Sequence, residues 1–245
     1  MPDVSTAGWV ALAVAAFVVG LAKTSIGSAA SLSVALFAVV LPARQSTGTL
    51  LPLLMVGDVL AVTTYRQHAN WSLLRRLLPW VALGLPLGAL FVAAVADTTM
   101  RRSIAVLLLL LLGLQVLTQR RTDEPPREHS AALPAGVGVA AGFCTMVANA
   151  AGSVMAQYLL LMRAPKLAFL GTSAWFFLVV NLAKLPFTGA LGLVSGSLLL
   201  LDLTLSPLVL VGGYVGRHIA RRLQQHHFEA WTIGLTAVSC LALLR

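Results

Sequence analysis

What most constrains this chain is a series of apolar runs too long and too numerous for a water-soluble core. Gly84 to Ala96 is almost wholly apolar, and Ile104–Leu117, "IAVLLLLLLGLQVL", contains one polar residue. Such runs recur at 7–22, 26–41, 49–65, 78–96, 101–118, 131–148, 150–161, 166–184, 199–216 and 229–244. A helix that crosses a bilayer needs about 20 predominantly apolar residues. The runs do not alternate apolar and polar positions, which argues against a transmembrane β-barrel. The pattern predicts an all-α, polytopic membrane protein. Composition agrees. Of 245 residues, 58% are hydrophobic and only 10% charged, too little charge to clothe a soluble domain of this length.

The polar stretch "TQRRTDEPPREHS" at Thr118–Ser130 separates the first five runs from the last five. The halves align in order. "GLAKTSIGSAAS" (20–31) matches "GFCTMVANAAGS" (142–153) at an offset of 122. "GTLLPLLMVGD" (48–58) matches "GTSAWFFLVVN" (171–181) at 123, pairing Asp58 with Asn181. "LPWVALGLPLG" (78–88) matches "SPLVLVGGYVG" (206–216) at 128, pairing Gly84 with Gly212 and Gly88 with Gly216. This predicts a duplication: a first membrane repeat over 1–118, a cytoplasmic linker over 119–130 and a second repeat over 131–245. With five segments per half, the second repeat enters the membrane inverted.

The basic residues test that topology. Placing the loop with Arg66, Arg75 and Arg76 in the cytoplasm also places Arg120, Arg121, Arg127, Arg163, Lys166, Arg217, Arg221 and Arg222 there. Arg44, Arg101, Arg102 and Arg245 fall outside. Eleven inside against four outside is the expected bias, with both termini outside. The net charge of +9 is thereby explained without a nucleic-acid partner. The N-terminus "MPDVSTAGW" lacks a basic n-region, so no cleavable signal peptide is expected. The five histidines fall in cytoplasmic loops. Cys144 and Cys240 read as small buried side chains.

Each repeat opens on an interrupted pair of runs, at Lys23-Thr24-Ser25 in the first and around Asn149 in the second. Each pair is either a full hairpin or a broken, re-entrant one. Runs of 16 residues rise roughly 24 Å, between the half and the full apolar thickness. A break at membrane depth leaves helix N-termini with free N–H groups, which attract anions, beside a cavity. Lys23 adds a full positive charge, and Thr24, Ser25, Ser28 and Ser31 add hydroxyls. Thr145, Asn149 and Ser153 face them from the second half, and Asn181 joins them. The bland alternative is that small residues serve helix packing and that Lys23 sits in a cytoplasmic turn.

Asp58 lies ten residues into the run 49–65, near mid-membrane, where a carboxylate is by default functional; it is the expected proton carrier. Lys184, three residues after Asn181, falls at the outer end of its run, where snorkelling accounts for a cation. An intramembrane enzyme needs a paired acid–base or metal set, and Asp58 is the one carboxylate read at that depth. Neither a phosphate loop, a metalloprotease signature nor a nucleophile elbow is present. No catalytic residue, metal or other cofactor is expected.

"GLAKTSIGSAASLSVALFAVVLP", followed by the Gly48-Thr49 pair and "GLPLGA", resembles the sulfite exporter TauE/SafE family, also called the toluene sulfonate uptake permease family. The resemblance covers essentially the whole chain, and Lys23-Thr24 matches a lysine-threonine pair found in a subgroup. It implies secondary transport of sulfite, sulfonates or related organosulfur and carboxylate anions. The chain departs from the family pattern in "GSAAS", where many members have a glycine run, and in "NAAGS", with one glycine. The expected function is thus a transporter of small anions in the cytoplasmic membrane, proton-coupled through Asp58, as a monomer or homodimer. The alternative is a channel-like or non-transporting membrane subunit or scaffold, for which Lys23 and Asp58 would be dispensable.

Overall fold

The computed structural model describes residues 5–25, 29–119, 132–193 and 196–222. These form nine α-helices and no strand among the described residues: α1 Thr6–Thr24, α2 Ala30–Val40, α3 Ala43–Tyr65, α4 Trp71–Ala94, α5 Asp97–Gln119, α6 Ala132–Ala148, α7 Ala151–Leu161, α8 Lys166–Ala190 and α9 Gly196–Arg222. The expected run 229–244 lies outside the described residues.

Five helices, α1, α3, α4, α8 and α9, are long and apolar enough to cross a bilayer. The chain is therefore a polytopic all-α membrane protein. In contrast, α2 and α7 have 11 residues each. Each rises only about 16 Å, half of the apolar thickness. The interrupted pairs are thus broken hairpins, each ending in a half-length helix, with helical geometry lost at Ser25 in the first and at Asn149 in the second.

Two helices, α3 and α4, begin well before the apolar runs suggest. α3 starts at Ala43, because Asp97 at the head of α5 accepts hydrogen bonds from the backbone N–H of Ala43 (3.2 Å) and Arg44 (2.9 Å). α4 starts at Trp71, where the Asn70 side chain accepts from the N–H of Ser72 and Leu73. Arg75 and Arg76, expected in a loop, therefore lie in the opening turns of α4. A polar cap extends a helix beyond the apolar stretch that reveals it.

The tightest packing is between backbones. α1 runs along α9, and α6 along α4. A Cβ on Gly212 would land on the Phe17 carbonyl, and one on Gly20 on the Val209 carbonyl. In the other pair, a Cβ on Gly84 would land on the Val139 carbonyl, and one on Gly142 on the Val81 carbonyl. Phe17 and Val139 differ by 122, and Val81 and Val209 by 128, the offsets at which the two halves align. Small residues admit this close approach in a bilayer, where apolar area alone does not drive helices together.

Between these two pairs, α3 and α8 pack antiparallel. Asp58 lies beside Asn181, while the Asn70 N–H just past α3 donates to the Thr172 hydroxyl near the start of α8 (2.9 Å). At the opposite end, Gly48 abuts the backbone of Leu193. The crossing brings two aligned positions, Asp58 and Asn181, into direct contact.

Candidate functional site

The site is built where the two broken hairpins meet the α3–α8 crossing. Lys23 occupies the last turn of α1, just before the chain leaves helical geometry at Ser25. Its stem lies against Gly57 of α3, where any side chain would press on it. The ammonium thus reaches Asp58 one residue further on: Lys23 Nζ is 2.6 Å from Asp58 Oδ1, with the two side chains 6% and 0% exposed. Asn181 Nδ2 donates to the other oxygen, Oδ2, at 2.6 Å. The face of Phe177 lies 4.1 Å from the ammonium, close enough for a cation–π interaction. An unpaired charge here would bear a large desolvation penalty; ion pairing and hydrogen bonding offset it.

The second hairpin holds a second cation, Lys184 of α8. α6 ends at Ala148, and Asn149 adopts a positive φ of 50°, a left-handed conformation that asparagine tolerates better than most residues. The turn aims its side chain inward. Asn149 Nδ2 donates to the Thr47 carbonyl at 3.0 Å, and Asn149 Oδ1 accepts from Lys184 Nζ. Lys184 Nζ also donates to the Thr145 carbonyl at 2.7 Å. Lys184 is wholly buried and does not snorkel. α8 continues through Pro186 to Ala190, so the lysine sits well inside its helix. The sequence reading ended the run at the charge, because a charge normally closes an apolar segment.

Beside Lys23 lies a small cavity, on the scale of a single water molecule. It is lined by Lys23, Ala30, Leu54, Thr145, Asn149, Gly152, Phe177 and Asn181. Ala30 and Gly152 lie in the first turns of α2 and α7, so both half-length helices present their N-termini to it. Several lining positions fall in aligned pairs: Ala30 with Gly152 and Lys23 with Thr145 at 122, Leu54 with Phe177 at 123. Ala30, Gly152, Leu54 and Phe177 are absent from the residues singled out in the sequence. The repeat offsets carried the signal for all four, since each aligns with a partner that faces the same cavity.

Of the expected site residues, Lys23, Asp58, Thr145, Asn149 and Asn181 come together. Thr24 instead bonds its hydroxyl to the carbonyls of Gly20 (3.1 Å) and Gly213 (2.8 Å), tying α1 to α9. Ser25 Oγ donates to the Leu21 carbonyl at 2.6 Å. Hydroxyls in apolar helices commonly bond back to their own backbone. Ser31 and Ser153 are buried in the first turns of α2 and α7 and do not line the cavity. Ser28 lies outside the described residues.

Asp58 is not the sole buried carboxylate. Asp202 on α9 is buried too, with no hydrogen-bond partner for either oxygen among the described residues. It lies in the second turn of α9, within the first residues of the apolar run 199–216.

The chain matches the model of the sulfite exporter TauE/SafE family over residues 12–243. It belongs to that family. Membership places the chain among membrane transporters, and the TauE/SafE match extends across both halves and hence over every residue of the site described above. No curated protein and no solved structure matches the chain.

Proposed function

We propose that this TauE/SafE protein is a secondary transporter that moves small anions, such as sulfite, sulfonates or related organosulfur and carboxylate anions, across the cytoplasmic membrane. One observation carries the reading: Lys23 and two helix N-termini converge on one cavity lined by both halves of the chain, and a second buried lysine, Lys184, is bonded to Thr145 and Asn149 in its wall. Lysine ammonium groups and helix N-termini both favour negative charge. Membrane charges of this kind mark substrate pathways.

In this reading the halves are inverted repeats with both termini outside. The matched glycine contacts and the antiparallel α3–α8 crossing support it. Rocking of one repeat against the other would open the cavity to either side in turn. Lys23 and Asp58 hold one another while an anion is bound. After the anion leaves, a proton displaces the ammonium from Asp58 and returns with the empty centre, and its release restores the pair. Transport is thereby coupled to the proton gradient through Asp58.

The test is uptake of labelled sulfite, sulfonates and small carboxylates into proteoliposomes, with and without a pH gradient. An anion should move, and Lys23→Gln should slow it. Asp58→Asn should abolish the response to the pH gradient. If no anion moves and Lys23→Gln alters no binding, the chain acts as a subunit or scaffold instead.

A further inference from the structure

The charged side chains gathered in this buried centre, among the described residues, are Lys23, Asp58 and Lys184. Lys23 and Asp58 cancel one another across 2.6 Å. Lys184 has no such partner: its two hydrogen bonds go to neutral acceptors, the Thr145 carbonyl and the Asn149 side-chain oxygen. An ammonium has three N–H donors, so one is left over. Asp58 and Lys23 both act electrostatically on Lys184, with opposite sign, so the three form one charge cluster. Asp202 makes no ion pair with either lysine among the described residues.

We infer that the centre carries one net positive charge and selects singly charged oxyanions, a monosulfonate or the hydrogen form of sulfite, over sulfate and fully ionised sulfite. Lys184, whose two partners Thr145 and Asn149 line the cavity, supplies the unbalanced charge, and Asp58 sets the charge count. This rests on the reading of the cavity as the anion site. The physical reason is that an unbalanced charge in a low-dielectric interior is penalised by several kcal/mol. A monoanion brings the cluster to zero, whereas a dianion leaves one negative charge buried and unpaired. Asn181, aligned with Asp58 and bonded to it, lacks a charge, so the second repeat does not cancel Lys184.

The experiment is competition against labelled methanesulfonate, which is singly charged, in proteoliposomes of the full chain. Unlabelled methanesulfonate and sulfate serve as competitors. In the wild type, sulfate should compete at least about 100-fold more weakly than methanesulfonate, a gap of about 2.8 kcal/mol. Lys184→Gln should weaken methanesulfonate binding at least tenfold. Asp58→Asn raises the net charge to two, and sulfate should gain at least tenfold relative to methanesulfonate. Asp58→Glu keeps the charge and should keep the wild-type ratio. Asn181→Asp removes the net charge and should weaken methanesulfonate binding; it keeps the test open if Asp58→Asn does not fold. Equal competition by sulfate in the wild type, or an unchanged ratio in Asp58→Asn, would overturn charge selection while leaving the anion site standing. Failure of the wild type to take any anion would sink both.

Discussion

Lys23, Asp58, Asn149 and Lys184 each depend on a neighbour to be tolerable where they are. Removing one member of a buried ion pair strands the other, which costs about 3–5 kcal/mol. Asp58→Ala should therefore destabilise the protein by about that amount, read as thermal unfolding in detergent. The double change Lys23→Met with Asp58→Leu should restore much of that stability yet leave transport dead. A double variant that transports normally would reduce the pair to packing. Asn149 has two separable duties, its positive φ and its side-chain bonds. Asn149→Gly keeps the backbone freedom and loses the bonds; Asn149→Ala loses both. The glycine variant should be the more stable by about 1 kcal/mol, with both below wild type.

At the scale of elements, the helices hold together through glycine. Gly20, Gly84, Gly142 and Gly212 all sit where a Cβ would meet a neighbouring carbonyl. Gly212→Ala or Gly142→Ala should force α1 from α9 or α6 from α4 and cost about 1–3 kcal/mol, again seen in detergent melts. Gly136→Ala, where a Cβ meets open space, should be neutral or slightly stabilising. Equal effects at both kinds of site would refute backbone-on-backbone packing. The same elements show what the sequence could reveal. Apolar length and number were enough for the all-α membrane class, and "GLAKTSIGSAAS" with its partner "GFCTMVANAAGS" marked both breaks. Helix starts were not legible at Ala43 and Trp71, because caps from Asp97 and Asn70 act through space or through polar residues outside the apolar run.

On the scale of the molecule, the site belongs to neither half. The first contributes Lys23 and Asp58, the second Lys184, Asn149 and Asn181, and the cavity lies between them. Much of this is legible in the alignment of the halves, which pairs Asp58 with Asn181 at an offset of 123. Two things are not. Hydroxyl-rich sequence suggested ligands at Thr24 and Ser25, but hydroxyls in helices have backbone carbonyls closer to hand. A lysine near the end of an apolar run suggested snorkelling, because tertiary partners such as Asn149 are invisible in local sequence. The pH dependence also belongs at this scale. With Asp58 as the proton site, an imposed pH gradient should drive accumulation in the wild type, while Asp58→Asn should only equilibrate substrate. Gradient-driven accumulation by that variant would remove Asp58 from coupling. The most direct measurement of the central claim is exchange of labelled for unlabelled methanesulfonate across proteoliposomes, comparing wild type with the double variant Lys23→Gln, Lys184→Gln. The wild type should exchange and the folded double variant should not; equal exchange by the two would contradict an anion path through this centre.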